Sequence, residues 1–308
     1  MRKPAMRKIV LVDNGSLRPQ ATLNLRRLAH ALSQVTGETV EAASLLHSYK
    51  IPAEKLDGRK AVSLGPLAER HAGEGVTELL ILPFFFGPSQ ALTGYLPERL
   101  GEVQASYPRL GVKVALPLVD SQATVDLRLA QLLADNVRER MAGLSRQKVS
   151  RPKVVLVDHG SPIPEVTAVR NYLAGQLSVL LAEEASCVTF ASMERRDGEG
   201  YRFNEPLLVD LLASPALAHS DVILSMLFLS PGRHAGEGGD IAEMYEQAMS
   251  QSLGLSVTTT RLVGENDAIV DILATRLQQA LAGEPLLAEL PPTGANVETP
   301  AANTTLSR

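Results

Sequence analysis

The chain has 308 residues, 45% of them hydrophobic, and its 30 basic against 34 acidic side chains leave a formal net charge of −4. That length exceeds the roughly 100–200 residues of one domain and argues for two, while the lack of a basic excess excludes an electrostatic footprint for nucleic acid. The single cysteine, Cys187, excludes an internal disulfide and any multi-cysteine metal centre, so a metal handled here would meet nitrogen and oxygen ligands.

The start of the chain is basic, with Arg2, Lys3, Arg7 and Lys8, but the apolar run behind it, residues 9–12, stops at Asp13 and is too short for an export signal. No window approaches the roughly 18–20 apolar residues of a membrane span. A cytoplasmic protein without membrane contact is expected. Apolar runs at 9–12, 40–45, 79–86 and 112–118 read as strands, separated by helical spacing at 21–35, 56–73, 95–107 and 121–141. The alternation then returns, with strands at 154–157, 188–193, 222–229 and 255–263 and helices at 166–181, 206–212, 241–253 and 268–281. Short, nearly continuous hydrophobic runs are how parallel strands buried on both faces read. The expected fold class is therefore α/β: two tandem halves, each a mainly four-stranded parallel sheet flanked by helices. The polar, basic stretch 143–152 reads as the join, giving halves 1–143 and 152–283. Residues 284–308, rich in Pro, Ala, Thr, Asn and Glu, are expected to form a disordered tail.

The two halves repeat each other. Residues 8–16, KIVLVDNGS, return as 153–161, KVVLVDHGS, and Asn14 stands where His159 stands. Residues 83–90, PFFFGPSQ, align with 227–234, LFLSPGRH, which sets Gln90 against His234. Both imidazoles fall just beyond strand ends, the edge at which parallel α/β sheets bind ligands. Imidazole holds divalent metals and titrates near neutral pH, whereas the amides opposite bind transition metals poorly and accept no proton there. Glu194 ends the second strand of the second half, where the first half has Leu46. It would complete a His, His, Glu set for metal binding or proton removal. The run 232–240, GRHAGEGGD, leads into a helix, and its glycines allow close approach of a ligand to the helix N-terminus, although Asp240 can equally be read as that helix's cap. Arg195, Arg196, Arg202 and Arg233 lie around the same edge, and one or two of them are expected to meet an anionic ligand. No phosphate-binding loop, dinucleotide glycine motif or nucleophile elbow is present, so ATP, dinucleotides and serine catalysis are not indicated.

Residues 157–161, VDHGS, together with 228–241, FLSPGRHAGEGGDI, resemble the sirohydrochlorin chelatases, the ATP-independent class II tetrapyrrole chelatases of the cobalamin and sirohaem pathways. The resemblance covers about residues 8–282 as two copies, the second much closer to the pattern. It implies two halves facing across a cleft where cobalt or ferrous iron is inserted into sirohydrochlorin. The metal would be a substrate, with no tightly bound cofactor. His159 and His234 match the family's metal-site histidines and Glu194 its strand-end glutamate, while Ser161, Arg233, Gly238 and Gly239 fall where substrate contacts are expected. No catalytic role transfers to Asn14, Gln90 or Leu46, which would form the inactive wall of one site. Short family members dimerise, so a duplicated chain is expected to suffice as a monomer. A tetrapyrrole or metal carrier that binds without inserting is the alternative. The Arg233-His234 pair also suggests a histidine phosphatase, but there Arg-His-Gly directly follows the first strand, and here Ala235 intervenes after the third.

Overall fold

The computed structural model describes residues 6–119, 125–143, 151–236 and 238–293. The first half runs β1 (Arg7–Asp13), α1 (Pro19–Thr36), β2 (Val40–Ser44), α2 (Leu64–Gly73), β3 (Glu78–Pro83), α3 (Leu96–Ser106), β4 (Gly111–Val114) and α4 (Arg128–Ala142). The second repeats it as β5 (Lys153–Asp158), α5 (Pro164–Leu180), β6 (Cys187–Ser192), α6 (Leu208–Leu212), β7 (Asp221–Met226), α7 (Asp240–Gln251), β8 (Ser256–Thr259) and α8 (Ile269–Ala282), followed by β9 (Ala288–Leu290). Pro19 and Pro164 open α1 and α5, where a missing N–H costs nothing because the first turn has no intrahelical partner for it.

The strands order as β2-β1-β3-β4-β9 in one sheet and β6-β5-β7-β8 in the other, all parallel except β9. Their registers correspond: Val12 faces Ala43 and Pro83 as Val157 faces Ala191 and Met226. β1 and β5 are flanked by strands on both sides and buried on both faces, which accounts for their unbroken apolar sequence. Helices α2 and α3 cover the outer face of the first sheet, and α6 and α7 that of the second. Between the sheets, Leu25 and Leu28 of α1, Leu133 of α4, Leu173 of α5 and Leu273 of α8 pack into one shared core.

That core is built by exchange. α4, from the first sequence half, packs on β7 and α5, and α8, from the second, packs on α1 and β3. The Arg276 side chain of α8 donates to the carbonyls of Pro117 and Leu118, and Arg138 of α4 pairs with Glu184 at 2.8 Å. Each sheet is therefore covered in part by the other half's last helix.

The start of the expected tail is structured. β9 pairs antiparallel with β4, Leu290 facing Val112, and the Leu287 N–H donates to the Val114 carbonyl at 2.9 Å. Leu286, Leu287 and Leu290 supply apolar surface that composition alone had hidden, and β4 supplies an edge to satisfy. Residues 294–308 and the join at 144–150 lie outside the described residues. No described helix is long and apolar enough to cross a membrane.

Candidate functional site

Parallel strands aim the loops after β1, β3, β5 and β7 to one edge of each sheet, and those loops line a shared cavity of about 640 Å³. One wall comes from the first half, with Asp13, Asn14, His47 and Phe84; the other from the second, with His159 and His234. This volume lies within the roughly 300–1,000 Å³ typical of small-molecule sites.

His159 is placed by two backbone bonds that zip its loop to the one after β6. Met193 N–H donates to the Asp158 carbonyl at 2.8 Å and Glu194 N–H to the His159 carbonyl at 3.1 Å. Gly160, at φ 91°, follows; a Cβ there would stand 2.0 Å from the Glu194 carbonyl oxygen, so only glycine lets the loops meet. The first half is built alike. Leu45 N–H donates to Asp13 and Leu46 N–H to Asn14, and a Cβ on Gly15 would meet the Leu46 oxygen at 1.8 Å. Asn14 with His159, and Leu46 with Glu194, are thus true structural counterparts.

His234 is fixed differently. Its Nδ1 lies 2.7 Å from Asp240 Oδ2, and its carbonyl accepts from Ile241 N–H at 3.2 Å, folding the loop onto the first turn of α7. Asp240 makes no capping bond; its carboxylate orients the imidazole through Nδ1. Gly239 permits this fold-back, because a Cβ there would come within 2.9 Å of the His234 carbonyl oxygen. The His159 and His234 rings meet edge-on, centroids 4.6 Å apart, and His159 Nε2 lies 3.3 Å from Glu194 Oε1. These three predicted residues come together as an open set; among the described residues, no three His, Cys, Asp or Glu side chains form a closed metal cage.

The other candidates divide. Arg233 lines the cavity with its side chain 83% exposed, its Nε 3.5 Å from Asp240. Arg195 and Arg202 instead share Glu205, and Arg196 lies over the Tyr201 ring at 5.9 Å. Ser161 turns the chain: its N–H donates to Asn204 Oδ1 at 2.9 Å and its Oγ accepts from Ile163 N–H at 3.0 Å. Neither Ser161, Gly238, Gly239 nor Glu194 lines the cavity wall. Gln90 does not either. Phe84 N–H donates to the Val12 carbonyl as Leu227 N–H does to Val157, so the strands correspond one residue away from the alignment that set Gln90 against His234. A run of three phenylalanines gives sequence no phase to detect that slip.

Sequence reasoning missed three residues. His47 lines the first-half wall from a left-handed backbone conformation, φ 62°. Asp158 and Arg170 form a buried network behind His159. Ser192 Oγ donates to Asp158 Oδ1 at 2.6 Å, and Arg170, wholly buried, reaches Asp158 Oδ1 at 3.5 Å, Ser192 Oγ, and the Asn204 carbonyl at 2.9 Å. Burial pushes the Asp158 carboxyl up, against the pull of Arg170, Ser192 and His159; burial likewise lowers Arg170, against the pull of Asp158. The signal was a lone arginine on the apolar stripe of α5, where α1 has Leu25.

Residues 153–280 match the family profile CbiX. Solved structures agree on the fold. SirB from Bacillus subtilis with Fe3+ superposes with a TM-score of 0.64 at 14% identity, covering 90% of this chain and 96% of that one. SirB from the subspecies spizizenii in complex with cobalt gives 0.63 at 13%, covering 90% and 96%. CbiX, described as the terminal enzyme of siroheme biosynthesis in denitrifying bacteria, gives 0.56 at 16%, covering 89% and 99%. No sequence match is found among curated proteins. The fold is thus shared with these chelatase structures across both halves, and the CbiX profile match falls in the half that carries both imidazoles.

Proposed function

We propose that the protein inserts a divalent metal, cobalt or ferrous iron, into sirohydrochlorin without ATP. The observation that carries this is the imidazole pair, centroids 4.6 Å apart, on the wall of a cavity whose other wall comes from the opposite half. Phe84, Phe86 and Phe228 give that cavity apolar, aromatic surface for a flat macrocycle, and Arg233 at its edge offers a guanidinium to a peripheral carboxylate. His159 and His234 present the metal to one face. Glu194, its Oε1 3.3 Å from His159 Nε2, sets a carboxylate beside the imidazole pair. An open two-nitrogen set suits a metal that must be handed on, since a closed cage would hold it. Because one chain supplies both walls, a monomer suffices.

Anaerobic incubation with sirohydrochlorin and Co2+, Fe2+ or Ni2+ in turn, followed by absorbance, tests the activity and ranks the metals. Metal-dependent spectral conversion is the expected outcome. Binding of the tetrapyrrole with no conversion by any metal would leave a carrier and overturn the proposal.

A further inference from the structure

Metal insertion must also remove two protons from pyrrole nitrogens, and the imidazoles engaged with the metal are poorly placed to do both jobs. We propose that Asp13, on the wall without active-half imidazoles, is the residue that takes the pyrrole protons across the cavity from His159 and His234. This rests on the chelatase function proposed above.

The geometry sets Asp13 apart from its counterpart. Asp13 and Asp158 end equivalent strands and line the same cavity, each 8% exposed. Asp158 Oδ1 is engaged by Ser192 and Arg170. Opposite, Leu25 replaces the arginine, and Ser48 takes the position of Asn204: Ser16 N–H donates to Ser48 Oγ at 3.3 Å as Ser161 N–H donates to Asn204. Ser48 is shorter and donates to Ser44 Oγ at 2.9 Å. Asp13 Oδ1 is left with no hydrogen-bond partner among the described residues, and so is Thr22 Oγ1, whose counterpart Thr167 donates to Asn204. Burial raises the Asp13 carboxyl to about 6, opposed by Ser44 and the backbone at Gly15. An acceptor of that basicity works near neutral pH, and a bound macrocycle, by excluding water, would make it more basic still. The other titratable or charged groups facing the cavity are His47 on the same wall and Asp158, His159, Arg233 and His234 on the other.

The step balances without a redox partner. A pyrrole N–H bond breaks and an O–H bond forms on the Asp13 carboxylate. The electron pair left on nitrogen bonds the metal as an imidazole releases it. Asp13 passes the proton to water at its exposed edge and repeats the transfer, so two protons leave for each divalent metal inserted.

The test compares wild type with Asp13→Asn and Asp13→Ala, measuring insertion kinetics, Co2+ binding and rescue by formate. Asp13→Asn is expected to lower kcat by about 10²-fold or more, leaving KM for both substrates and Co2+ binding as in wild type. Formate should restore part of the Asp13→Ala rate by supplying the missing carboxylate, which a merely structural role would not allow. Wild-type kcat in Asp13→Asn, or no formate rescue of Asp13→Ala, would overturn the assignment while leaving the chelatase function intact. A wild-type protein that inserts no metal would instead remove that function, and the role of Asp13 with it.

Discussion

The ends of β1 and β5 hold the same carboxyl in the same place, yet one is paired with a buried arginine and the other is not. Behind Asp158 stand Ser192, Arg170 and Asn204, joined by hydrogen bonds and covered by the Phe190 ring, whose centre lies 4.6 Å from the Arg170 guanidinium. Behind Asp13 stand Leu25, Ser44 and Ser48, a smaller and less polar set. The two frameworks correspond; the second places a buried arginine behind the loop that carries His159, and the first leaves Asp13 Oδ1 without a hydrogen-bond partner among the described residues. On the role proposed for Asp13, the first half takes part in the chemistry without the imidazole that His159 supplies in the second.

The comparison is broken most forcefully by giving the second half the first half's residue. Arg170→Leu strands Asp158 in the core, and losing one partner of a buried pair should cost about 3–5 kcal/mol in urea unfolding. A loss no greater than that of an ordinary surface substitution would show that the network behind His159 carries little. The converse change acts through pH. Asp13 titrates at 3.8 when unfolded and near 6 when folded, so between those values the folded chain holds more protons and stability falls as pH rises. The shift of about two units corresponds to about 3 kcal/mol, present below the window and gone above it. Asp13→Asn should therefore gain up to that amount over wild type near neutral pH and little below pH 4. A difference that does not vary with pH would contradict it. Stability gained where activity is lost is the behaviour of a residue held under strain for function.

The backbone offers a comparison in which the halves should agree. Gly15→Ala and Gly160→Ala each drive a Cβ into a carbonyl oxygen at positive φ and should each cost about 1–3 kcal/mol in thermal or urea unfolding. Unequal losses would show that one loop can yield. Returning an imidazole to the first half should do least: Asn14→His is expected to change insertion rate by less than about threefold, the scale of an exposed substitution, because Gln90 does not stand where a second ligand is needed. A marked gain in rate would reopen the first half as a second metal site.

Much of this was legible in the sequence. Strands buried on both faces announce themselves by unbroken apolar runs, and the repeat of residues 8–16 at 153–161 fixed the correspondence of Asn14 with His159 because Asp and Gly anchor its phase. Where no such anchor exists, sequence misled: the Phe84–Phe86 run slipped by one residue. The exchange of α4 and α8 between sheets left no local trace, because an amphipathic stripe does not say which sheet it meets. β9 is only three residues long, and its pairing depends on an edge distant in sequence. Asp240 can be read from sequence as a cap, the ordinary explanation of a carboxylate at a helix start, and only the 2.7 Å approach to His234 shows its partner.

One working site built on the second half, with the first as its opposite wall, is tested most directly by anaerobic absorbance of sirohydrochlorin with Co2+ in His159→Ala and His234→Ala beside wild type. Each variant should lose at least about 10²-fold in insertion rate. A rate near that of wild type in either one would contradict the assignment of the imidazole pair as the metal's point of entry.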